Sequence, residues 1–264
     1  VRERFATTVG RFGMTKLELL VVAAIIAVVI TILLPPGVTD LEPVRRKNCR
    51  STLHALGIAL RSYHDAYGSF PPAYISDENG RPAHSWRVLV LPFLGQQAIY
   101  DAYRFDEPWD GPNNAQLQQK YRGELGRVLS CPWDRRINSP SASYFAVVGP
   151  HAAWSGASGC KMSTDFPDGL PTTVLLVEVY ESGISWFEPR DLDIDKMCFG
   201  INDPSNCGVR GPHRYNTYWT HAIKSRFAHV LYADGQVGEF LESTPPREVR
   251  ALLTVDRKEE VTGQ

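Results

Sequence analysis

Three aspartates, Asp191, Asp193 and Asp195, alternate along one short segment. On a loop, carboxylates at that spacing can place several oxygens around a single calcium ion, which prefers an all-oxygen shell. Lys196 stands where a calcium loop generally needs glycine. On a strand, the same alternation puts all three acids on the wet face. Calcium at Asp191, Asp193 and Asp195 and a solvated acidic face are thus the two readings of this segment. The cysteines are Cys49, Cys131, Cys160, Cys198 and Cys207. Cys198 and Cys207 bracket a Gly/Asn/Pro loop and are the easiest pair to join where the compartment permits disulfides. An odd number leaves one over, and free thiols throughout are the alternative. His213, His221 and His229 share a region without a cysteine or carboxylate at ligand spacing, so a histidine metal site is not expected. His64 and Asp65 suit the end of a helix, as cap and packing. The chain has no nucleophile elbow, phosphate-binding glycine loop or HExxH pair, so the expectation is a protein without enzymatic activity.

Glu18 is the other chemically loaded residue. It lies near the start of GMTKLELLVVAAIIAVVITILLPP, Gly13 to Pro36, where the stretch from Leu19 to Leu34 carries no charge and Thr31 is its only polar residue. With Leu17 this approaches the roughly 20 residues that a helix needs to cross a hydrocarbon core. A helix apolar on every face is rarely a soluble one. A cleaved secretory signal is the competing reading; the apolar run is long for that, and Pro35-Pro36 follow it instead of a small-x-small site. An ionisable group at the edge of such a span costs on the order of 2–3 kcal/mol, so it is expected to have a partner. Arg2, Arg4 and Arg11 precede the span and Arg45, Arg46, Lys47 and Arg50 follow it, so basic residues do not decide the orientation.

The remainder must position these groups. The 264 residues suffice for an anchor and one sizeable domain, and a net charge of −1 gives no reason to expect nucleic acid as a partner. Nineteen prolines and 21 glycines imply many turns, as in a β-rich domain. After the double proline, Thr39 or Asp40 can cap a second helix with Pro43 in its first turn. Cys49, Leu53, Leu56, Leu60, Tyr63 and Tyr67 then form an amphipathic stripe that Gly68 and Pro71-Pro72 terminate. Strands are expected at residues 143–148, 172–180, 184–187, 227–233 and 236–241. The second is apolar almost throughout and reads as central; the last two flank Asp234-Gly235, a two-residue hairpin signal. Residues 243–264 read as a proline- and charge-rich tail, with a few helical turns near 246–253.

Gly13-Met14-Thr15 followed by Glu18 resembles the processing site of type IV pilins and type II secretion pseudopilins. The resemblance implies that a prepilin peptidase cuts after Gly13 and that the new N-terminal residue, Met14, is methylated. It also implies that Glu18, at the fifth mature position, pairs with the terminal amine of a neighbouring subunit during assembly. Met14 replaces the usual phenylalanine, and Lys16 puts a cation where the family generally has an apolar residue. The implied fold is α+β and pilin-like: a long N-terminal helix, transmembrane then amphipathic, packed on an antiparallel sheet. The corresponding division is a leader over 1–13, a membrane helix over 14–36, its amphipathic continuation over 37–68, a head over 69–242 and a tail over 243–264. Partners implied are the peptidase, like or related pilin subunits and the lipid bilayer. The implied location is the cytoplasmic membrane, single-pass, with the head outside the cytoplasm and open to extraction into a pseudopilus.

The head resembles a group of pilin-like proteins, abundant in planctomycetes, that carry the domain of unknown function 1559. The segments RRKNCRSTLHALGIALRSYHDAYGSFPPA, SWRVLVLPFLGQQAIYDAY, LSCPWD, SYFAVVG, DGLPTTVLLVEV, WFEPRDL and AHVLYADGQVGEFL carry the resemblance in order. Cys49 and Cys131 fall in two of them, which implies a bond fastening the helix to the head and leaves Cys160 over. The group has a histidine ten positions before the aspartate of its Asp-Gly pair, where this chain has Lys224. Some pseudopilins bind calcium in a C-terminal loop, in keeping with the aspartate reading above. The alternative to an assembly subunit is a membrane-tethered module that captures solutes or glycans. For that module Trp86, Trp109, Trp133, Trp154, Trp186 and Trp219 would supply stacking faces.

Overall fold

A computed structural model describes residues 15–33, 42–134, 141–216 and 223–256. The first helix, α1 (Lys16–Leu33), belongs to a small unit separate from the head, which begins at Leu41. Its first turn is closed by a reciprocal pair. The Thr15 backbone N–H donates to Glu18 Oε2 at 2.7 Å, and the Glu18 N–H donates to Thr15 Oγ1 at 3.3 Å. This is a capping box, satisfying two N–H groups that a helix start leaves orphaned. Beyond it the surface is apolar on all sides: Leu17, Leu20, Ile25, Val28 and Ile30 are each at least half exposed. Eighteen residues at ~1.5 Å each rise about 27 Å. Among the described residues no helix is long and apolar enough to cross a membrane; the apolar run continues to Leu34, outside them. Gly13, Met14, Pro35, Pro36, Thr39 and Asp40 also lie outside the described residues.

The head is α+β. Helix α2 (Glu42–Tyr67) buries Cys49, Leu53, Leu56 and Leu60, the spaced stripe, while Tyr63 is half-buried and Tyr67 exposed. It stops at Gly68, whose positive φ of 78° lets its N–H turn back to the His64 carbonyl. The stripe packs on a six-stranded sheet built from β3 (Tyr144–Val148), β4 (Val174–Glu178), β5 (Leu192–Asp193), β6 (His213–Asn216), β7 (Ile223–Tyr232) and β8 (Val237–Leu241). A separate hairpin pairs β1 (Tyr74–Ser76) with β2 (Pro82–Ser85). The order is β5-β3-β4-β7-β6, with β8 on the other side of β7. All pairs are antiparallel except β3 with β5. Strand β4 is central and buried at every position, as its unbroken apolar run requires.

Several expectations change in detail. Residues 184–187 form no strand; Trp186 and Phe187 are buried there in irregular chain instead. Ser85 caps a one-turn helix, α3 (Trp86–Leu89), its hydroxyl accepting from the Arg87 N–H. The turn at Asp234-Gly235 has three residues rather than two. The Tyr232 N–H reaches the Gln236 carbonyl across Ala233-Asp234-Gly235, with Gly235 at φ 91°. Short helices α4 (Gln97–Ala102), α5 (Pro112–Lys120) and α6 (Arg122–Leu129) fill the long connection from α3 to β3. The tail begins as structure: α7 (Pro246–Leu253) buries Val249 and Leu253 completely, and Val255 donates its N–H to the His151 carbonyl. The packed head therefore runs past residue 242, to Asp256.

Candidate functional site: a buried carboxylate–histidine cluster beside a disulfide

Strand β4 ends its apolar run on an acid. Glu178 is fully buried, and a charge in such a place must find partners. The neighbouring strands supply them. His213 opens β6, and its Nε2 lies 3.1 Å from Glu178 Oε1. His229 sits in β7 directly across from Glu239 of β8. The His229 backbone N–H donates to Glu178 Oε2 at 3.0 Å, and its Nδ1 lies 3.5 Å from that oxygen. The first residue of α2 closes the set. Glu42 is buried and accepts the Arg214 N–H at 3.2 Å, with its Oε1 3.6 Å from His213 Nδ1. Helix and sheet are thus joined by an acid–imidazole–acid chain that solvent does not reach.

The electrostatics follow from this geometry. Burial alone would drive the Glu178 carboxyl up. The His213 charge and hydrogen bond, helped by His229, reverse that and hold it down at about 2. Burial likewise opposes charge on His213, yet the two flanking carboxylates raise it to about 9. At neutral pH the centre of the cluster is a buried ion pair, Glu178 negative and His213 positive. His213 also stacks on Phe227 and meets His229 edge-on, with ring centroids 5.4 and 4.5 Å apart. Its outer rim is Glu239, which accepts the Tyr215 hydroxyl at 2.7 Å.

The same cluster touches a disulfide. Cys49 of α2 is bonded to Cys131, which follows α6, across 82 residues of sequence. Cys131 Sγ lies 3.8 Å from His213 Nε2. Cys198 and Cys207 are bonded as well, while Cys160 is a buried free thiol, pushed up to about 12 by burial and therefore inert. Both expected pairs are present in the structure. Two groups of side chains have ligand atoms within 4.8 Å of one another among the described residues: Cys49, Cys131, Glu178 and His213, and Cys198, Asp203 and Cys207.

The alternating aspartates are not such a group. Asp191 turns inward, where its Oδ1 accepts from Arg87 Nη2 at 2.7 Å, from the Ala146 N–H at 2.9 Å and from the Trp86 indole at 3.2 Å. Asp193 pairs with Lys196 and caps the Asp195 N–H. All three border a cavity of about 340 Å³, but Asp191 and Asp193 are drawn to different cations, Arg87 and Lys196. His64 accepts the Met162 N–H and contacts Phe70, a packing role.

Sequence reasoning missed Glu178, Glu42 and the pairing of His213 with His229, and His221 lies outside the described residues. One signal was present: an acid closing the continuous apolar run VLLVE of a central strand needs a buried partner. Comparison with known proteins finds no match among curated proteins and none among solved structures. A profile described as a protein of unknown function, DUF1559, matches residues 42–247, which contain the cluster and the whole sheet. The chain belongs to the DUF1559 family.

Proposed function

We propose that this is a non-enzymatic, pilin-like envelope protein. A prepilin peptidase processes it after Gly13, and α1 anchors it in the cytoplasmic membrane or in an assembly, displaying the head outside. The supporting observation is α1 itself: a capped helix whose apolar side chains are exposed on every face. Such a surface needs lipid or other apolar helices around it. Glu18 has a local task as a cap, and on this reading it exchanges its bond to the Thr15 N–H for the terminal amine of a neighbour. N-terminal sequencing and intact mass of the protein from its native membrane test the proposal. A start at N-methylated Met14, abolished by Gly13→Asp, is the expected result; an unchanged mature mass in that variant overturns it.

A second reading, a tethered binding module, is favoured by one feature. A cleft of about 890 Å³ beside the β1–β2 hairpin is lined by Asp77, Glu78, Phe105, Glu107, Trp109 and Asp110. Trp86, Trp154 and Trp186 are buried core, and Trp133 lies under the Arg45 guanidinium, so of the tryptophans Trp109 fits a stacking role best. Trp219 lies outside the described residues. Ligand capture lost in Trp109→Ala, with processing unchanged, would establish the binding module over the assembly subunit.

A further inference from the structure

We propose that Cys49, Cys131, His213 and Glu178 form a zinc site in the reduced chain, which formation of the Cys49–Cys131 disulfide then replaces. The donor set is two thiolates, one imidazole and one carboxylate, the chemistry of a closed tetrahedral zinc centre. The geometry is already near that shape. Metal–ligand bonds of about 2.0–2.3 Å place neighbouring ligand atoms about 3.3–3.8 Å apart. Cys131 Sγ and His213 Nε2 are 3.8 Å apart, and His213 Nε2 and Glu178 Oε1 are 3.1 Å apart. The two sulfurs, joined by a covalent bond, are the pair that must separate. All four residues are at most 1 % exposed, and they come from α2, β4, β6 and the segment after α6. The surroundings fit as well. His213 Nδ1 and His229 Nδ1 are buried without a hydrogen bond. With Nε2 on the metal, His213 Nδ1–H faces Glu42, 3.6 Å away, the carboxylate that orients a ligating histidine.

The chain is made with free thiols, so the site needs no reductant to exist. Zinc binding displaces two thiol protons and the proton on His213 Nε2. Oxidation breaks two sulfur–zinc bonds and forms one sulfur–sulfur bond. The two electrons pass to an external disulfide, which takes up two protons, while His213 regains its own and the zinc ion leaves. Metal and disulfide are therefore exclusive occupants of one place, matched to reducing and oxidising compartments.

The test uses the full chain, produced in a reducing cytoplasm and purified in detergent without air. One zinc per chain is expected by elemental analysis, with Cys49 and Cys131 shielded from alkylation and released as oxidised glutathione converts them to the disulfide. Cobalt in place of zinc should give the thiolate charge-transfer band and intense tetrahedral d–d bands. Cys198→Ala/Cys207→Ala should keep the metal, His213→Gln should lose it, and Glu42→Gln should weaken it about 10–100-fold as a positioning residue. The wild-type alkylation map needs no variant to fold. A reduced, folded chain without zinc, or zinc that shields Cys198 and Cys207 instead, overturns the proposal. Failure here leaves the processing of the N-terminus untouched.

Discussion

Replacing Glu178 by glutamine in the disulfide-bonded protein removes one charge of the buried pair and little volume. At 3.1 Å and an effective dielectric of ~20, the attraction between Glu178 and His213 is about 5 kcal/mol before desolvation is set against it. The lift of His213 from 6.5 to about 9 bounds the net contribution. At 1.36 kcal/mol per unit it is about 3 kcal/mol, and the depression of Glu178 describes the same interaction and is not added. Loss of one partner from a buried pair typically costs ~3–5 kcal/mol, so a loss of about 3 kcal/mol is expected at pH 6. The pH profile carries a signature. His213 is raised, so its contribution is complete below 6.5 and fades as pH rises through about 9. Glu178 is lowered, so its contribution is complete above 4.5 and fades as pH falls towards about 2. Wild-type stability from this pair is therefore a plateau between pH 4.5 and 6.5. Urea denaturation in mild detergent, followed by tryptophan fluorescence across pH, measures it. A variant within about 0.5 kcal/mol of wild type at pH 6, with the same profile, would show that the cluster does not hold the fold and would refute the reasoning.

Other perturbations have separate readouts. Burial pushes Asp134 up to about 6 against its Ser143 and Glu181 hydrogen bonds, so its contribution is complete below 3.8 and lost as pH rises through 6. Asp134→Asn should therefore gain up to about 3 kcal/mol on wild type between pH 4 and pH 7, read as a widening melting-temperature difference; equal differences at both pH values would count against it. Cys49→Ala/Cys131→Ala opens a loop of 82 residues and should cost roughly 4.5 kcal/mol in the chain-entropy account, seen as a lower urea midpoint that reductant no longer affects. Arg87→Met strands the buried Asp191 carboxylate and should cost about 3–5 kcal/mol, detected by the same denaturation. Gly211→Ala sets a methyl 2.2 Å from the Phe227 carbonyl oxygen and 2.4 Å from Ala228 Cα; displacing that backbone should cost about 1–3 kcal/mol, read as a lower melting temperature.

What could be read directly from the chain was local. The stripe from Cys49 to Leu60, the apolar run of β4 and the Asp-Gly turn each declare themselves within a dozen residues, and each forms close to its expected place. The seven ordered segments likewise pointed to the family that the profile establishes. The cluster could not be read that way. Its members stand at positions 42, 178, 213 and 229, and only the strand order β4-β7-β6 and the approach of α2 bring them together. The resemblance expects a histidine where this chain has Lys224. The imidazoles that reach Glu178 are instead those of His213 on β6 and His229 on β7, which the strand order brings to it. The aspartate series shows the converse error. Alternation suggested three equivalent groups, but Arg87 and Lys196 draw two of them in different directions.

The position of Cys49 along α2 has a mechanical consequence. A pull on the chain ahead of α2 enters the head at Glu42, where it first meets the contacts to His213 and Arg214. If those yield, the helix can peel only as far as Cys49, because from there the load passes into Cys131 through a covalent bond. The seven residues from Glu42 to Asn48, about 10 Å long as helix and about 25 Å drawn out, lengthen the path by about 14 Å. Beyond Cys49 the head then resists as a body stitched by that bond. A head pulled from that end would give by about two turns of helix and no further until the covalent bond itself bore the load.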